Sequence, residues 1–93
     1  MEHYIIAKFH TVPDEALIAE ITELFQKSSE VPGVVGVSVK PNVTPRPNRY
    51  DLMIVIHLEN PEALNAWDNC EIHMQWKARY GEMLEKKAIF DCD

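Results

Sequence analysis

Two histidines, His3 and His73, are the residues of this chain best suited to acid–base chemistry. An imidazole titrates close to neutral pH, so a histidine can take up and return a proton under physiological conditions. The two residues lie near opposite ends of the chain, and their spacing alone does not bring them together. Two interpretations stay open: a catalytic pair, in which His73 is the base and His3 its polar partner, or two imidazoles that only pack or cap a pocket.

The sequence lacks the patterns that bind metals, nucleotides or covalent intermediates. Cys70 and His73 supply at most two metal ligands on one turn, which is fewer than a zinc site needs. The chain has 3 glycines and no glycine-rich phosphate loop, and no nucleophile motif surrounds a serine or a cysteine. Cys70 and Cys92 form neither a CxxC motif nor a disulfide framework. We therefore predict no metal site and no cofactor, with both cysteines as free thiols.

Apolar side chains could line a small-molecule site, because such pockets have apolar walls and few polar groups. Trp67 is the main candidate for a pocket wall, with Ile5 and Tyr80 as further predicted ligand-binding residues. Trp76 and Tyr80 also recur at helical spacing, and such a stripe is more often the buried face of a helix. Core packing is therefore the competing interpretation for those two residues.

Length and charge disfavour several classes of protein. The 93 residues suffice for one domain, 1–93, since a second core would have too little chain. A net charge of -6 would repel phosphate groups, so nucleic acid and anionic membranes are not expected partners. No apolar run reaches the roughly 20 residues that span a bilayer, and the N-terminus lacks the features of a secretory signal. The sequence therefore predicts a cytoplasmic protein.

Hydrophobic periodicity predicts the strands and helices that must position these candidate residues. Apolar residues alternate with period two in the strands and recur every three or four residues in the first helix. Thr11 and Pro13 are expected to begin that helix, and Asn60 to cap the next one. The predicted strands are His3–Phe9, Val34–Val43, Tyr50–Glu59 and Lys87–Cys92, and the predicted helices end near Ser29, run from Asn60 to Trp67 and run from Glu71 to Glu85.

The element order β-α-β-β-α-β is that of the ferredoxin-like α+β sandwich, in which the helices cover one face of an antiparallel sheet. The third strand is apolar on both faces, from Leu52 to Ile56, so its second face also needs a cover. The simplest cover for so short a chain is the same face of a second copy. The sequence therefore predicts a homodimer whose interface contains Met53 and Val55.

Short motifs also follow one another in a set order along nearly the whole chain. They are His3 to Phe9, the turn Val31-Pro32-Gly33-Val34, Asn42-Val43-Thr44 before Tyr50-Asp51-Leu52, Glu62-Ala63-Leu64 with Trp67, then His73, and finally Ile89-Phe90-Asp91. Together they resemble the stress-responsive dimeric α/β-barrel family, abbreviated Dabb. The chain departs from that family in reading Cys70-Glu71-Ile72-His73 for His-Pro-x-His, and in having Trp67 where the family often has Tyr.

The resemblance implies a dimeric α/β barrel with a small cavity between each sheet and its helices. It also implies that the first strand lies beside the start of the last helix, which would bring His3 close to His73. A plant branch of the family comprises polyketide cyclases that use histidines matching these two, together with a pocket tyrosine.

The sequence leaves three hypotheses for the function. The first is a homodimeric Dabb protein, with a role in a stress response, whose cavity binds a small apolar or aromatic ligand. The second is a cofactor-free, polyketide-cyclase-like enzyme in which His73 is the general base. The third, by analogy of fold alone, is a monooxygenase-like or haem-handling relative within the dimeric barrel superfamily.

Overall fold

A computed structural model describes all residues, Met1–Asp93, and contains one four-stranded sheet and three α-helices. The strands are β1 (Glu2–Phe9), β2 (Val34–Pro41), β3 (Leu52–Leu58) and β4 (Leu84–Cys92), and the helices are α1 (Glu15–Gln26), α2 (Glu62–Asp68) and α3 (Glu71–Tyr80). The strand order in space is β2-β3-β1-β4, and every neighbouring pair is antiparallel. This is the predicted ferredoxin-like order, so the α+β fold class is confirmed.

Alternate strand residues form an inner sheet face that packs against the helices. On β1 the buried residues are His3, Ile5, Ala7 and Phe9, and the residues between them are half-buried. The other core side chains come from β3 and from all three helices: Leu52, Ile54, Ile56, Leu58, Ile21, Leu24, Phe25, Ala63, Trp67, Trp76 and Tyr80. One apolar core therefore joins the sheet to the helical layer, and His3 is its one buried histidine.

The outer sheet face has an apolar centre, polar residues such as Glu2, Lys8, His57 and Lys86 around it, and no helix against it. Tyr4 and Ile6 on β1 pair with Val55 and Met53 on β3, and Tyr4 also pairs with Phe90 on the edge strand β4. Phe90 is 61% exposed. The third strand therefore presents apolar residues on both faces, as predicted. On the outer face Val55 is 4% exposed already in the single chain, and Met53 is half-buried.

Two helix boundaries differ from the sequence prediction. Helix α1 begins at Glu15 because the Asp14 carboxylate accepts a 2.8 Å hydrogen bond from the Leu17 amide and is the N-cap, in place of Thr11. Helix α3 ends at Tyr80, five residues early, because β4 already begins at Leu84, where it pairs with β1. The predicted cap at Asn60 is present, since its side-chain oxygen accepts from the Ala63 amide. None of the helices has the length and apolar character that crossing a membrane requires.

The turn before β2 requires a glycine. Gly33 has a φ of 89°, in the left-handed region that side chains disfavour, and a Cβ there would lie 2.4 Å from the Ala63 Cβ. The Gly33 carbonyl also accepts a 2.9 Å hydrogen bond from the Glu59 amide. This turn therefore ties the start of β2 to the connection between β3 and α2.

Candidate functional site

The fold brings both candidate histidines against one tryptophan at the edge of the core. The ring centroid of Trp67 on α2 lies 5.4 Å from that of His3 on β1 and 4.5 Å from that of His73 on α3. Each separation lies within the range at which aromatic rings pack favourably. The histidines that sequence spacing left apart are therefore linked through the Trp67 indole.

His3 is held by a carboxylate on the neighbouring edge strand. Its side chain is almost fully buried, and its Nδ1 lies 2.5 Å from Oδ1 of Asp91. The register of β1 with β4 pairs these residues directly and turns both to the inner face. An ionised carboxylate only accepts hydrogen bonds, so Nδ1 donates, and in the neutral ring the free lone pair is on Nε2.

His73 is held in the same way by a backbone carbonyl. Its Nδ1 donates to the Asp68 carbonyl oxygen at 2.8 Å, which again leaves Nε2 with the lone pair. Burial is the main cause that lowers the pKa of His73, and the charges of Lys77 and Lys87 lower it further. The hydrogen bond from Nδ1 and the charge of Asp68 act in the opposite direction. At neutral pH the ring is therefore mainly uncharged, which is the form that accepts a proton.

An open hollow of about 270 Å³ lies beside the two histidines, at the free edge of the sheet. His73 and Lys77 lie one turn apart on α3, and Lys87, Ile89 and Asp91 alternate along the inner side of β4. The lining consists of His3, His73, Asp68, Asp91, Lys77, Lys87, Leu64 and Ile89. The hollow therefore combines acid–base groups, two ammonium groups and two aliphatic side chains.

The three predicted ligand-binding residues lie in the core and do not line this hollow. Trp67 is 0% exposed, and Ile5 and Tyr80 are each 1% exposed. The Trp67 indole N–H donates to Ser28 Oγ at 3.2 Å, and the Tyr80 hydroxyl donates to Glu20 Oε1 at 2.6 Å. Side chains therefore fill the space between sheet and helices at these positions, where the resemblance implied a cavity. A role for these residues in ligand binding stays a prediction.

Six of the eight lining residues were not predicted as site residues: Leu64, Asp68, Ile89 and the three considered next, Lys77, Lys87 and Asp91. Each of these three has a signal in the sequence. Lys77 follows His73 by one helical turn, and Lys87 and Asp91 share the inner face of the last strand. The pairing of that strand with β1, which places Asp91 opposite His3, is the information that a periodicity argument lacks.

Other polar groups do not converge into a second reactive centre. No group of three or more His, Cys, Asp or Glu side chains is placed to bind a metal ion, and both cysteines are free. His57 lies on the outer sheet face, with its Nδ1 3.3 Å from Glu2 Oε2. The hollow beside His3 and His73 is therefore the candidate site.

Three solved structures of this fold illustrate its distribution. A dimeric ferredoxin-like protein of unknown function from Thermobifida fusca superposes with a TM-score of 0.80 and 13% identity, over 96% of this chain and 85% of that one. A protein from Arabidopsis thaliana superposes with a TM-score of 0.81 and 15% identity, over 99% of this chain and 92% of that one. The hydroxynitrile lyase of Passiflora edulis superposes with a TM-score of 0.75 and 8% identity, over 96% of this chain and 87% of that one. At these identities the likeness shows the fold alone.

A search of curated protein sequences finds no match to this chain. The family model of the stress responsive A/B barrel domain, in contrast, matches residues 1–93, which is the whole chain. The resemblance inferred from the motifs between His3 and Asp91 is thereby confirmed. The chain belongs to the stress responsive A/B barrel (Dabb) domain family.

Proposed function

We propose that this chain is a homodimeric Dabb-domain protein that binds a small molecule in the hollow beside His3 and His73. The observation that carries the proposal is the contact of both imidazoles with one buried indole, each imidazole being fixed through its Nδ1. Polar groups fixed in this way orient a ligand at little entropic cost, and Leu64 and Ile89 supply an apolar wall. The role in a stress response stays a prediction.

Rigid elements support this site. His3 is on a central strand, and Trp67, behind both imidazoles, is fixed by its hydrogen bond to the buried Ser28 hydroxyl. In contrast to the wall predicted from the sequence, Trp67 supports the hollow from behind, and the two histidines separate it from the ligand. Sites on packed strands and helices hold their geometry better than sites on loops.

The outer sheet face supports the homodimer. It presents the largely exposed Phe90 and the half-buried Ile6 and Met53, which border the loop 42–50 of the same chain. A large exposed apolar patch favours an interface, and a two-fold axis lets one face cover its own copy. The Thermobifida fusca protein of the same fold is dimeric. In such a dimer both hollows stay open, because each lies on the inner side of its own sheet.

Binding in the hollow can be tested with a library of small aromatic and aliphatic fragments and amide-detected NMR. We expect the shifts that fragments cause to cluster at His3, Asp68, His73 and Lys87. Ile89→Trp, at a side chain that is 49% exposed, should fill the hollow and abolish these shifts while the fold is retained. The matched control is Val35→Trp on β2, where the side chain is 68% exposed. Fragments that bind equally well to Ile89→Trp would contradict the proposal.

A second candidate function is cofactor-free catalysis with His73 as the general base and His3 as its polar partner. It is favoured by the neutral His73 ring with Nε2 free, and by the Asp91 carboxylate that fixes the tautomer of His3. The fold accommodates catalysis, since one neighbour is a hydroxynitrile lyase. The cyclase-like form of this hypothesis requires turnover of a linear polyketide-like substrate.

A kinetic comparison separates the two candidates. A general base contributes about 10² to 10⁴ in rate, so His73→Gln should lower kcat by that factor while substrate binding changes little. His57→Gln, on the opposite sheet face, is the matched control and should leave kcat unchanged. If the unaltered protein binds this substrate without converting it, the cyclase-like hypothesis is wrong.

A further inference from the structure

We propose that the hollow binds a small organic acid, with the anionic group held by Lys77 and Lys87 and the apolar body against Leu64 and Ile89. This inference rests on the small-molecule site proposed above and adds the charge of its ligand. The sequence interpretation had favoured an apolar or aromatic ligand, for which two ammonium groups at the site have no purpose.

The two lysines approach the hollow from different elements. Lys77 is one turn beyond His73 on α3, and Lys87 is on the inner side of β4, two residues before Ile89. An anion between these two elements would contact both ammonium groups. Charge-assisted hydrogen bonds of this kind are about twice as strong as neutral ones.

Neither lysine has an anionic partner within the chain. The three ion pairs of the structure are His3–Asp91, His57–Glu2 and Arg79–Glu20. The chain has 15 acidic residues against 9 basic ones, so acidic partners are plentiful. Among the 9 Lys and Arg side chains only Arg79 forms an ion pair, so it is the position of Lys77 and Lys87 at one hollow that points to an anion from outside.

Two carboxylates, Asp68 and Asp91, also line the hollow, so the two lysines are matched in number but not in position. Asp91 already accepts a hydrogen bond from His3, which leaves Asp68 as the one acidic side chain without a histidine partner. Near His73 the two lysines and Asp68 are the charged groups that act, and the lysines outnumber the acid. An organic anion is therefore a better match to the hollow than an organic cation.

The volume of the hollow limits the size of the acid that it can bind. Its volume of about 270 Å³ equals roughly nine water molecules at about 30 Å³ each, which suits an acid with about a dozen non-hydrogen atoms. Leu64 and Ile89 add apolar contact, so a benzoate-sized acid matches the hollow better than a phosphate or an inorganic ion. Benzoate and its neutral counterpart benzamide are therefore suitable probes of the full chain.

Titrations of benzoate and benzamide, followed by NMR at the His73 ring, test the proposal. At low ionic strength we expect benzoate to bind about five-fold more tightly than benzamide. Lys77→Gln and Lys87→Gln should each lower the affinity for benzoate by about two- to five-fold and leave the affinity for benzamide unchanged. Lys86→Gln is the matched control, because it removes the same charge from the adjacent residue on the outer face.

The outcomes distinguish the inference from the proposed function. Equal affinity of the two probes, both acting at His73, would overturn the organic-acid inference and retain the small-molecule site. A preference for benzoate that persists in the double variant Lys77→Gln/Lys87→Gln would also overturn the inference. If neither probe reaches the hollow at about 10 mM, the weak limit for ligands of this size, the proposed site itself is wrong.

Discussion

Trp67 donates its indole N–H to the hydroxyl of Ser28, 3.2 Å away, and both side chains are 0% exposed. The bond joins α2 to the 3₁₀ turn Lys27–Glu30 that follows α1, and it satisfies two polar groups inside the core. His3 and His73 pack against the ring that this bond holds. The position of the candidate site therefore depends on a polar contact deep in the core.

Ser28→Ala should destabilise the protein by about 1–3 kcal/mol, because it leaves the Trp67 N–H buried without an acceptor. Urea unfolding measures the change. Ser29→Ala is the matched control: this neighbouring serine is exposed, and its substitution should cost far less. Adding Trp67→Phe to Ser28→Ala removes the donor as well, so the two losses should be less than additive. Fully additive losses would show that the bond does not couple these residues.

Gly33→Ala should destabilise the fold by at least about 1–2 kcal/mol, the cost of placing a side chain in the left-handed region. The new Cβ would also approach the Ala63 Cβ to 2.4 Å, so the turn has to shift. The control is Gly81→Ala, where the backbone is helical and the added Cβ meets open space. That change should stabilise the protein by about 0.4–1 kcal/mol. In thermal unfolding we expect Gly33→Ala to have a lower melting temperature than the wild type, and Gly81→Ala a higher one.

If the chain is a homodimer, a charged substitution at the centre of the outer sheet face should strongly weaken the dimer. The wild-type chain should sediment as a dimer at micromolar concentration, and Met53→Glu should shift it to monomer by placing an unpaired carboxylate in an apolar interface. Met74→Glu, on the helix α3 and 55% exposed, makes the same substitution on the helical side of the sheet and should leave the dimer intact. A wild-type monomer at that concentration would contradict the two-sheet arrangement.

Periodicity predicted the fold more completely than the site. The alternation along the first strand separated its two faces, and the structure shows the same alternation in burial. The predicted end of α3 was wrong. Leu84 and Glu85 also fit a helical pattern, but they belong to β4, where Leu84 pairs with Phe9. The contact of Asp91 with His3 depends on which strands are neighbours, and a local pattern does not contain that information.

Burial places Trp67 in the core, and the ligand-binding role that the sequence predicted for it stays a prediction. An aromatic residue at Trp67 suits either a pocket wall or a core, and only the three-dimensional packing distinguishes the two. In the structure the buried hydroxyl of Ser28 accepts the indole N–H. The sequence has no local sign of this pairing, because the two residues are 39 positions apart.

His73 should titrate below the ordinary histidine value of 6.5, because burial and the neighbouring lysines disfavour its charged form. The unfolded chain then binds more protons than the native protein between the lowered native pKa and 6.5, so the free energy of unfolding increases with pH in that interval. Stability contributed by the neutral ring is complete above pH 6.5 and is lost as the pH falls toward the native pKa. NMR titration of the His73 ring locates that native pKa.

Urea unfolding across the same pH range measures the stability directly. His73→Gln should remove this part of the pH dependence, while His10→Gln, at an exposed residue, should retain it. His3 and His57 are present in both variants, so the difference between the two isolates His73. A ring titration at or above 6.5, or the same pH dependence in both variants, would show that His73 is charged as easily in the fold as in water and is not the neutral base described here.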